Sequence, residues 1–147
     1  MAHNKLQAGF TTVEMLLVVG IMMILTAIGA PLYMNLSNTN QLDSATNLLV
    51  QDLYQAQTHS RNQSQDSAWG VAVNGQVITL FAGTSYAARN TAYDVNYTVP
   101  MAIHLSGSTQ VVYSKLYGLP TSVGSFGLTG GGKTSAVSVN SKGTVEY

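Results

Sequence analysis

The sequence predicts an α+β protein in which a long N-terminal helix, one half in the membrane and one half amphipathic, packs on an antiparallel β-sheet. Three observations predict this fold class. No charged residue occurs between Glu14 and Asp43, apolar residues then recur with a helical period, and beyond Gln65 the apolar period falls to two. A chain of 147 residues is long enough for one such domain.

The composition excludes several classes of function. Charged residues make up 8% of the chain, and six Lys and Arg residues balance six Asp and Glu residues. The chain therefore lacks the excess positive charge that attracts nucleic acids and anionic membrane surfaces. It has no cysteine, which rules out disulfides and thiol chemistry. A hydrophobic content of 46% nevertheless indicates a chain that buries a core.

The first element is the apolar run Met15–Leu32, in which Thr26 is the one polar side chain. A helix of this length spans about 27 Å, close to the hydrocarbon thickness of a bilayer. The alternative is an ordinary secretory signal cut near Gly29, which would release an exported β-rich protein. Glu14 at the start of the apolar run and Pro31 just beyond the cut fit this alternative badly.

The second element is an amphipathic stalk helix over residues 35–64. Apolar residues at spacings of three and four form one stripe, which we expect to pack on the sheet. The stripe consists of Leu42, Ala45, Leu49, Leu53 and Ala56. If the stalk continues the membrane helix, Pro31 should kink it, because proline removes a backbone hydrogen bond and clashes with the preceding turn.

The third element is a β-rich domain over residues 65–147. Two alternating runs on either side of Asn74-Gly75 predict a hairpin, since both turn positions favour positive φ. Asn140–Gly143 predicts a second hairpin turn, and Gly83–Val99 is interpreted as a long loop. Further strands are predicted at Met101–Leu105, Gln110–Tyr117, Ser125–Leu128, Ser135–Val139 and Thr144–Tyr147.

A short motif precedes the apolar run: Gly9-Phe10-Thr11-Thr12-Val13-Glu14 follows a polar leader that contains Lys5. With the apolar helix and Pro31, this motif resembles the class III signal of type IV pilins and type II secretion pseudopilins. The resemblance implies a leader at 1–9, a transmembrane and assembly helix at 10–34, the stalk at 35–64 and the globular domain at 65–147. Over the globular domain the chain is loosely similar to H-class minor pseudopilins, through Trp69-Gly70 and Gly143-Thr144-Val145.

The resemblance also implies roles for individual residues. A prepilin peptidase would cut after Gly9 and methylate the new α-amine of Phe10. Glu14 would recruit the subunit by pairing with the Phe10 amine of a neighbour. In such filaments the helix can lose structure in its middle, and we expect this between Gly20 and Pro31, where Gly20, Gly29 and Pro31 weaken the helix. Small residues that ease helix packing in lipid are the alternative explanation of the two glycines.

Other possible sites are rejected. Gly127–Thr134 matches the Walker A pattern, but the alternating run after it predicts a strand where nucleotide binding needs a helix. The three histidines have no metal-ligand spacing and no nucleophile motif beside them. We therefore expect no catalytic residue, no metal site and no cofactor, and this charge pattern disfavours the binding of nucleic acid.

The sequence thus predicts a structural pilin or pseudopilin, not an enzyme, processed by a prepilin peptidase and methylated. Its other partners would be homologous subunits in a homo- or hetero-filament. It would be a single-pass protein of the cytoplasmic (inner) membrane before assembly, and then part of an extracellular or periplasmic filament at the cell surface. A minor pilin that initiates the filament or binds DNA or another ligand is the first alternative; the exported β-rich protein is the second.

Overall fold

A computed structural model of the chain describes residues 9–147, with the backbone alone for residues 28–32. Two compact units are present, Met1–Asn35 and Leu36–Tyr147. Helix α1 (Thr12–Arg61) contributes residues to both units. The other elements, a short 3₁₀ helix and eight strands, belong to the second unit.

The predicted fold class was wrong in two respects. The residues of α1 with described side chains form two shorter stretches, 12–27 and 33–61, and a long apolar helix with a membrane half is not evident among them. No helix within the described part of the chain is long and apolar enough to cross a membrane. The second error concerns the sheet: the protein has two antiparallel sheets instead of one.

The eight strands form two four-stranded sheets. The first sheet has the order β3-β2-β1-β5 and the second the order β4-β6-β7-β8. All neighbouring strands are antiparallel. The strands are β1 (Trp69–Asn74), β2 (Val77–Ala82), β3 (Asn90–Thr98), β4 (His104–Gly107), β5 (Gln110–Tyr113), β6 (Gly124–Gly130), β7 (Lys133–Val139) and β8 (Val145–Glu146).

Both sheets share one hydrophobic core with α1 in the second unit. The five residues of the predicted stripe are each no more than 1% exposed. They cluster with buried side chains of the first sheet, such as Ile78 and Val111, and of the second sheet, such as Phe126 and Val137. In β6 and β7 the buried residues alternate with more exposed ones, which explains the alternation in their sequence.

Both predicted hairpins are confirmed. Asn74-Gly75 connects β1 and β2, and Gly75 has φ of +60°. At the second turn, the Asn140 side-chain oxygen accepts hydrogen bonds from the backbone N–H groups of Lys142 and Thr144, at 3.0 and 3.1 Å. Gly143 takes the positive φ, +80°, that closes this turn between β7 and β8.

The predicted loop Gly83–Val99 was wrong, because residues 90–98 form β3. The pairing with β2 jumps from Leu80 opposite Val95 to Ala82 opposite Asn90. Residues 91–94 thus stand opposite one residue of β2, which makes a large bulge. The bulge and the exposure of both faces remove the alternation by which a half-buried strand is recognised.

The glycine-rich segment that matches the Walker A pattern is a hairpin between β6 and β7. Gly131 in its turn has φ of +58°, and a Cβ atom placed there would lie 3.0 Å from the backbone nitrogen of Thr39. The glycine therefore permits both the turn and the close approach to α1. Strand β7 occupies the place where nucleotide binding would need a helix.

Candidate assembly site

The predicted cleavage site lies ahead of the first helical residue. Gly9 and Phe10 are both exposed and non-helical, and the Phe10 side chain is 80% exposed. A Cβ atom added to Gly9 would meet no heavy atom within 4 Å. The peptide bond between these residues is therefore accessible and free of helical hydrogen bonding, as a peptidase substrate requires. Leader residues 1–8 lie outside the described residues.

Thr11 caps the start of α1. The backbone N–H of Glu14 donates to Thr11 Oγ1 at 3.3 Å, and the N–H of Met15 donates to the Thr11 carbonyl at 3.1 Å. Thr11 and Glu14 occupy the first and fourth positions of a capping-box pattern. Glu14 is exposed in the first turn, where the helix macrodipole favours a carboxylate. Thr11 was not among the predicted site residues, although a threonine three residues before a glutamate is the signal that identifies such a cap.

The helical stretch that follows exposes its large apolar side chains. Every large apolar residue from position 10 to 25 is exposed, with exposed fractions between 42% and 80%. Contiguous apolar surface of this size marks contact with another protein or with a membrane. The residues are Phe10, Val13, Met15, Leu16, Leu17, Val18, Val19, Ile21, Met22, Met23, Ile24 and Leu25.

The three residues predicted to weaken the helix are only partly described. Gly20 lies within α1, and a Cβ atom added there would meet no heavy atom within 4 Å. Its neighbourhood therefore leaves open space beside the backbone. Gly29 and Pro31 lie outside the residues whose side chains are described.

The opposite end of α1 is fixed to the first sheet by a buried serine. Ser60 is fully buried; its hydroxyl donates to the Tyr113 carbonyl at 3.0 Å and accepts from the Trp69 backbone N–H at 2.9 Å. Gln57, one turn earlier, donates from Nε2 to the carbonyls of Gly118 and Gly143 at 3.0 and 3.2 Å. Neither residue was predicted, since a polar residue in a helix gives no sign of a partner more than 50 positions away.

Two buried side chains of the second unit have shifted pKa values. Burial raises the pKa of Asp52 to about 6, because the low dielectric disfavours its charged form. Burial also raises the pKa of Tyr113 to about 12, and the nearby Tyr54 adds to that rise. The Tyr113 hydroxyl is buried without a hydrogen-bond partner.

A groove of about 570 Å³ runs along the outer face of the second stretch of α1. We call it the α1 groove. Its lining contains aromatic rings and uncharged polar side chains but no Asp, Glu, Lys or Arg side chain. The lining residues are Asn47, Val50, Gln51, Tyr54, Gln55, Thr58, His59 and Tyr147.

The histidines of the described chain do not form a reaction centre. His59 stacks on Trp69 with ring centroids 4.5 Å apart, and its Nδ1 lies 3.2 Å from Ser64 Oγ. His104 is exposed on β4. Within residues 9–147, no group of three or more His, Cys, Asp or Glu side chains could hold a metal ion.

Comparison with known proteins assigns the chain to no group. No family model matches it, and neither a curated protein nor a solved structure is significantly similar to it. Function must therefore be inferred from the residues and contacts described above.

Proposed function

We propose that the chain is a structural subunit, a pilin or pseudopilin, of a type IV pilus or a type II secretion-like filament. A prepilin peptidase cuts it after Gly9 and methylates the Phe10 amine. The apolar stretch beginning at Phe10 then brings subunits together. The observation that carries the proposal is the continuous exposure of that stretch directly after an accessible Gly9–Phe10 bond.

The chemistry of the new terminus supports a pairing with Glu14. Cleavage after Gly9 leaves an α-amine on Phe10, which is largely cationic at neutral pH. A carboxylate is its natural partner in an apolar surrounding, where an unpaired charge is costly. Glu14 is the one charged residue in the first stretch. Pairing between Glu14 of one subunit and the amine of its neighbour would fix the position of docking as well as favour it.

The proposed location follows from this assembly. The subunit would reside in the cytoplasmic membrane before assembly, and in an extracellular or periplasmic filament afterwards. The membrane stage is inferred from the apolar run Met15–Leu32, and the side chains of its last five residues, 28–32, are outside the described ones.

The decisive experiment is mass spectrometry of the mature N-terminus, in cells with an active prepilin peptidase. Membranes and filaments sheared from the cell surface are analysed separately. We expect N-methylated Phe10 in both fractions, and an intact Met1 in a Gly9→Leu variant. Gly20→Ala is the matched control, because it changes a glycine of the same segment away from the cleavage site. An N-terminus at Ala30, or an intact Met1 in the unmodified protein, would overturn the proposal.

A second variant pair separates the two roles open to Glu14. Glu14→Gln removes the carboxylate that would recruit the neighbour, so processed protein should remain in the membrane and be lost from sheared filaments. Thr11→Ala removes the capping hydroxyl but keeps the carboxylate. If Thr11→Ala lowers the filament yield as much as Glu14→Gln does, Glu14 acts through the helix cap and not through its neighbour.

A further inference from the structure

The longest uncovered strand edge of the described chain belongs to β3. This strand is the outer strand of the first sheet and has nine residues, whereas β4 and β8, the outer strands of the second sheet, have four and two. At the other end of the first sheet, the outer side of β5 is partly covered, because the backbone N–H of Thr121 donates to the Val112 carbonyl at 2.8 Å. An uncovered edge offers unpaired backbone groups to a strand of another chain. Among the described strands, β3 offers the longest row of such groups.

The backbone groups that β3 turns outward follow from its pairing with β2. The N–H of Val99 donates to the Gln76 carbonyl at 2.7 Å, and successive residues of an antiparallel strand alternate between facing the neighbouring strand and facing away from it. From Val99 back through the regular pairs with β2, every second residue therefore turns backbone hydrogen-bonding groups outward. These residues are Asp94, Asn96 and Thr98.

The features that usually protect an edge strand are scarce in β3. Lysine, proline and bulges serve this purpose in natural sheets. β3 contains no Lys or Pro, and its bulge at residues 91–94 leaves the pairs from Val95 to Thr98 regular. Its one charged side chain, Asp94, pairs with Arg89 at 2.8 Å and is only 10% exposed. Since the apolar side chain of Val95 is 58% exposed, the edge is open both to backbone pairing and to apolar contact.

We propose that the outer edge of β3 pairs with β3 of a second copy of this chain, antiparallel and centred on Asn96. Asn96 then faces Asn96 of the second copy, and Thr98 faces Asp94. The limits of the strand set this register. A shift of two residues one way would place Thr98 opposite Ala92, within the bulge. The opposite shift would place Asp94 opposite Pro100, which has no N–H to donate.

The same register brings apolar side chains together. Val95 lies opposite Tyr97 of the second copy, and the symmetry of the contact repeats this pair. Aromatic and β-branched side chains that stand opposite one another stabilise antiparallel strands. At the centre, the Thr79 hydroxyl donates to Asn96 Oδ1 at 2.8 Å, which holds the Asn96 side chain to its own sheet. The contact therefore combines backbone pairing along the edge with cover for Val95.

The contact closes after two copies. Each copy uses the same strand, so the interface is isologous, and its two-fold axis is perpendicular to the sheet. The second stretch of α1 packs its stripe against that sheet, so it lies across the axis and runs in opposite directions in the two copies. Subunits of one filament share one direction. The inference therefore goes beyond the proposed function, because it joins copies that belong to different filaments.

Cysteine cross-linking of the full chain, purified in detergent, tests the register. The chain contains no cysteine, so any disulfide reports an introduced pair. Val95→Cys combined with Tyr97→Cys should give a disulfide-linked dimer and no larger species, because the Cα atoms of such a pair lie about 4.5 Å apart. Val95→Cys alone and Tyr97→Cys alone are the matched controls. In each, the two Cα atoms would be about 8 Å apart, so the chain should stay monomeric.

A proline substitution tests the backbone pairing. Thr98→Pro removes an N–H that faces the second copy and not β2, at an edge position where proline is tolerated. Because each dimer loses two hydrogen bonds, the yield of cross-linked dimer from the double-cysteine chain should fall at least about tenfold. Thr98→Val keeps the N–H and should leave the yield unchanged. Trp69 fluorescence checks that both variants fold.

A charge exchange at the centre tests the symmetry without relying on proline. In the double-cysteine chain, Asn96→Lys and Asn96→Asp should each lower the yield about threefold, because each places like charges directly opposite one another. Mixing the two variants should restore the yield, since opposite charges then face each other. Both variants lose the hydrogen bond from Thr79, so that loss does not account for a recovery.

The outcomes separate this inference from the proposed function. A double-cysteine chain that stays monomeric would overturn the contact, including the case in which a strand of another protein occupies the edge. A dimer from either single cysteine would overturn the register centred on Asn96, and equal yields for Thr98→Pro and Thr98→Val would overturn the backbone pairing. Methylated Phe10 in sheared filaments together with any of these results leaves the filament subunit standing. A dimer of the expected register from a chain that cells do not cut at Gly9 would support the contact and remove the pilin proposal.

Discussion

The two described stretches of α1 differ in whether their apolar side chains are buried or exposed. In residues 12–27 the large apolar side chains are exposed around the whole circumference, whereas in residues 33–61 one stripe is buried to 1% or less. A stripe on one face is the pattern of a helix that packs on its own domain. Apolar residues exposed on all faces are typical of a surface that contacts another protein or a membrane. The two parts of one helical element therefore differ in burial: one buries an apolar stripe in the core, and the other exposes its apolar side chains.

Shortening one leucine in each stretch should show the largest difference between them. Leu49→Ala should lower the free energy of unfolding of the second unit by about 2–5 kcal/mol, because it leaves a cavity in the core. Leu25→Ala should change it by less than about 0.5 kcal/mol, since Leu25 is 66% exposed. Denaturant unfolding of the full chain in detergent, followed by Trp69 fluorescence, measures both. Equal losses would mean that the first stretch also stabilises the fold.

The polar attachment of the second stretch gives the next largest effect. Ser60→Ala leaves the Trp69 N–H without its buried acceptor and the Tyr113 carbonyl without its donor, so we expect a loss of about 1–3 kcal/mol. Ser44→Ala is the matched control. Ser44 is exposed and bonds only within its own helix, to the Asn40 carbonyl. A loss for Ser44→Ala as large as that for Ser60→Ala would show that the effect is local to the helix.

The buried Asp52 should make the stability of the second unit depend on pH. Its pKa is raised from 3.8 to about 6, so the folded state binds the proton more tightly than the unfolded state. Stability is therefore highest below about pH 4 for this group and falls as the pH rises through about 6. Asp52→Asn should remove this dependence and raise stability at pH 7.5 by about 1 kcal/mol, less than the full shift implies because solvent screens the charge.

Thermal unfolding at several pH values measures this dependence, and Asp43→Asn provides the control. Asp43 is exposed on the same helix, and its change should leave the profile unaltered. A profile that is equally steep with and without the Asp52 carboxylate would assign the dependence to another group.

The smallest expected effect concerns the Tyr113 hydroxyl. Because it is buried without a partner, Tyr113→Phe removes an unsatisfied group and should leave stability unchanged or raise it by about 1 kcal/mol. Tyr117→Phe, at a ring that is 69% exposed, should have no effect. A clear loss for Tyr113→Phe would mean that the hydroxyl is hydrogen-bonded in solution, through water or through Tyr54.

Local patterns predicted the parts of the fold that neighbouring residues determine. The spacing of Leu42 to Ala56 and the turn chemistry of Asn74-Gly75 each rest on a few adjacent residues, and the structure has both the buried stripe and the hairpin. The division of the strands into two sheets depends on contacts between distant segments, which periodicity does not encode. β3 was missed for a related reason, since its bulge hides the alternation.

In the candidate site, too, the residues of a contiguous motif were predicted and the residues joined by distant contacts were not. Gly9, Phe10 and Glu14 were identified from a contiguous motif, and their roles in processing and assembly remain predictions. Ser60 joins β1 and β5 across the core. This relation is not visible in the sequence, because folding of the backbone is what brings the helix and the two strands together.

The turn at Gly131 shows how a nucleotide-binding signature can arise for an unrelated reason. In a true phosphate cradle, glycines expose backbone N–H groups to an anion at the start of a helix. Here the glycine leaves room for a neighbouring helix backbone, at a distance where a methyl group would collide with Thr39. A phosphate site and this turn both need glycine, but for different physical reasons. A search by sequence pattern alone would therefore assign ATPase activity to this chain. The segment is instead a β-hairpin, and no helix begins at its end.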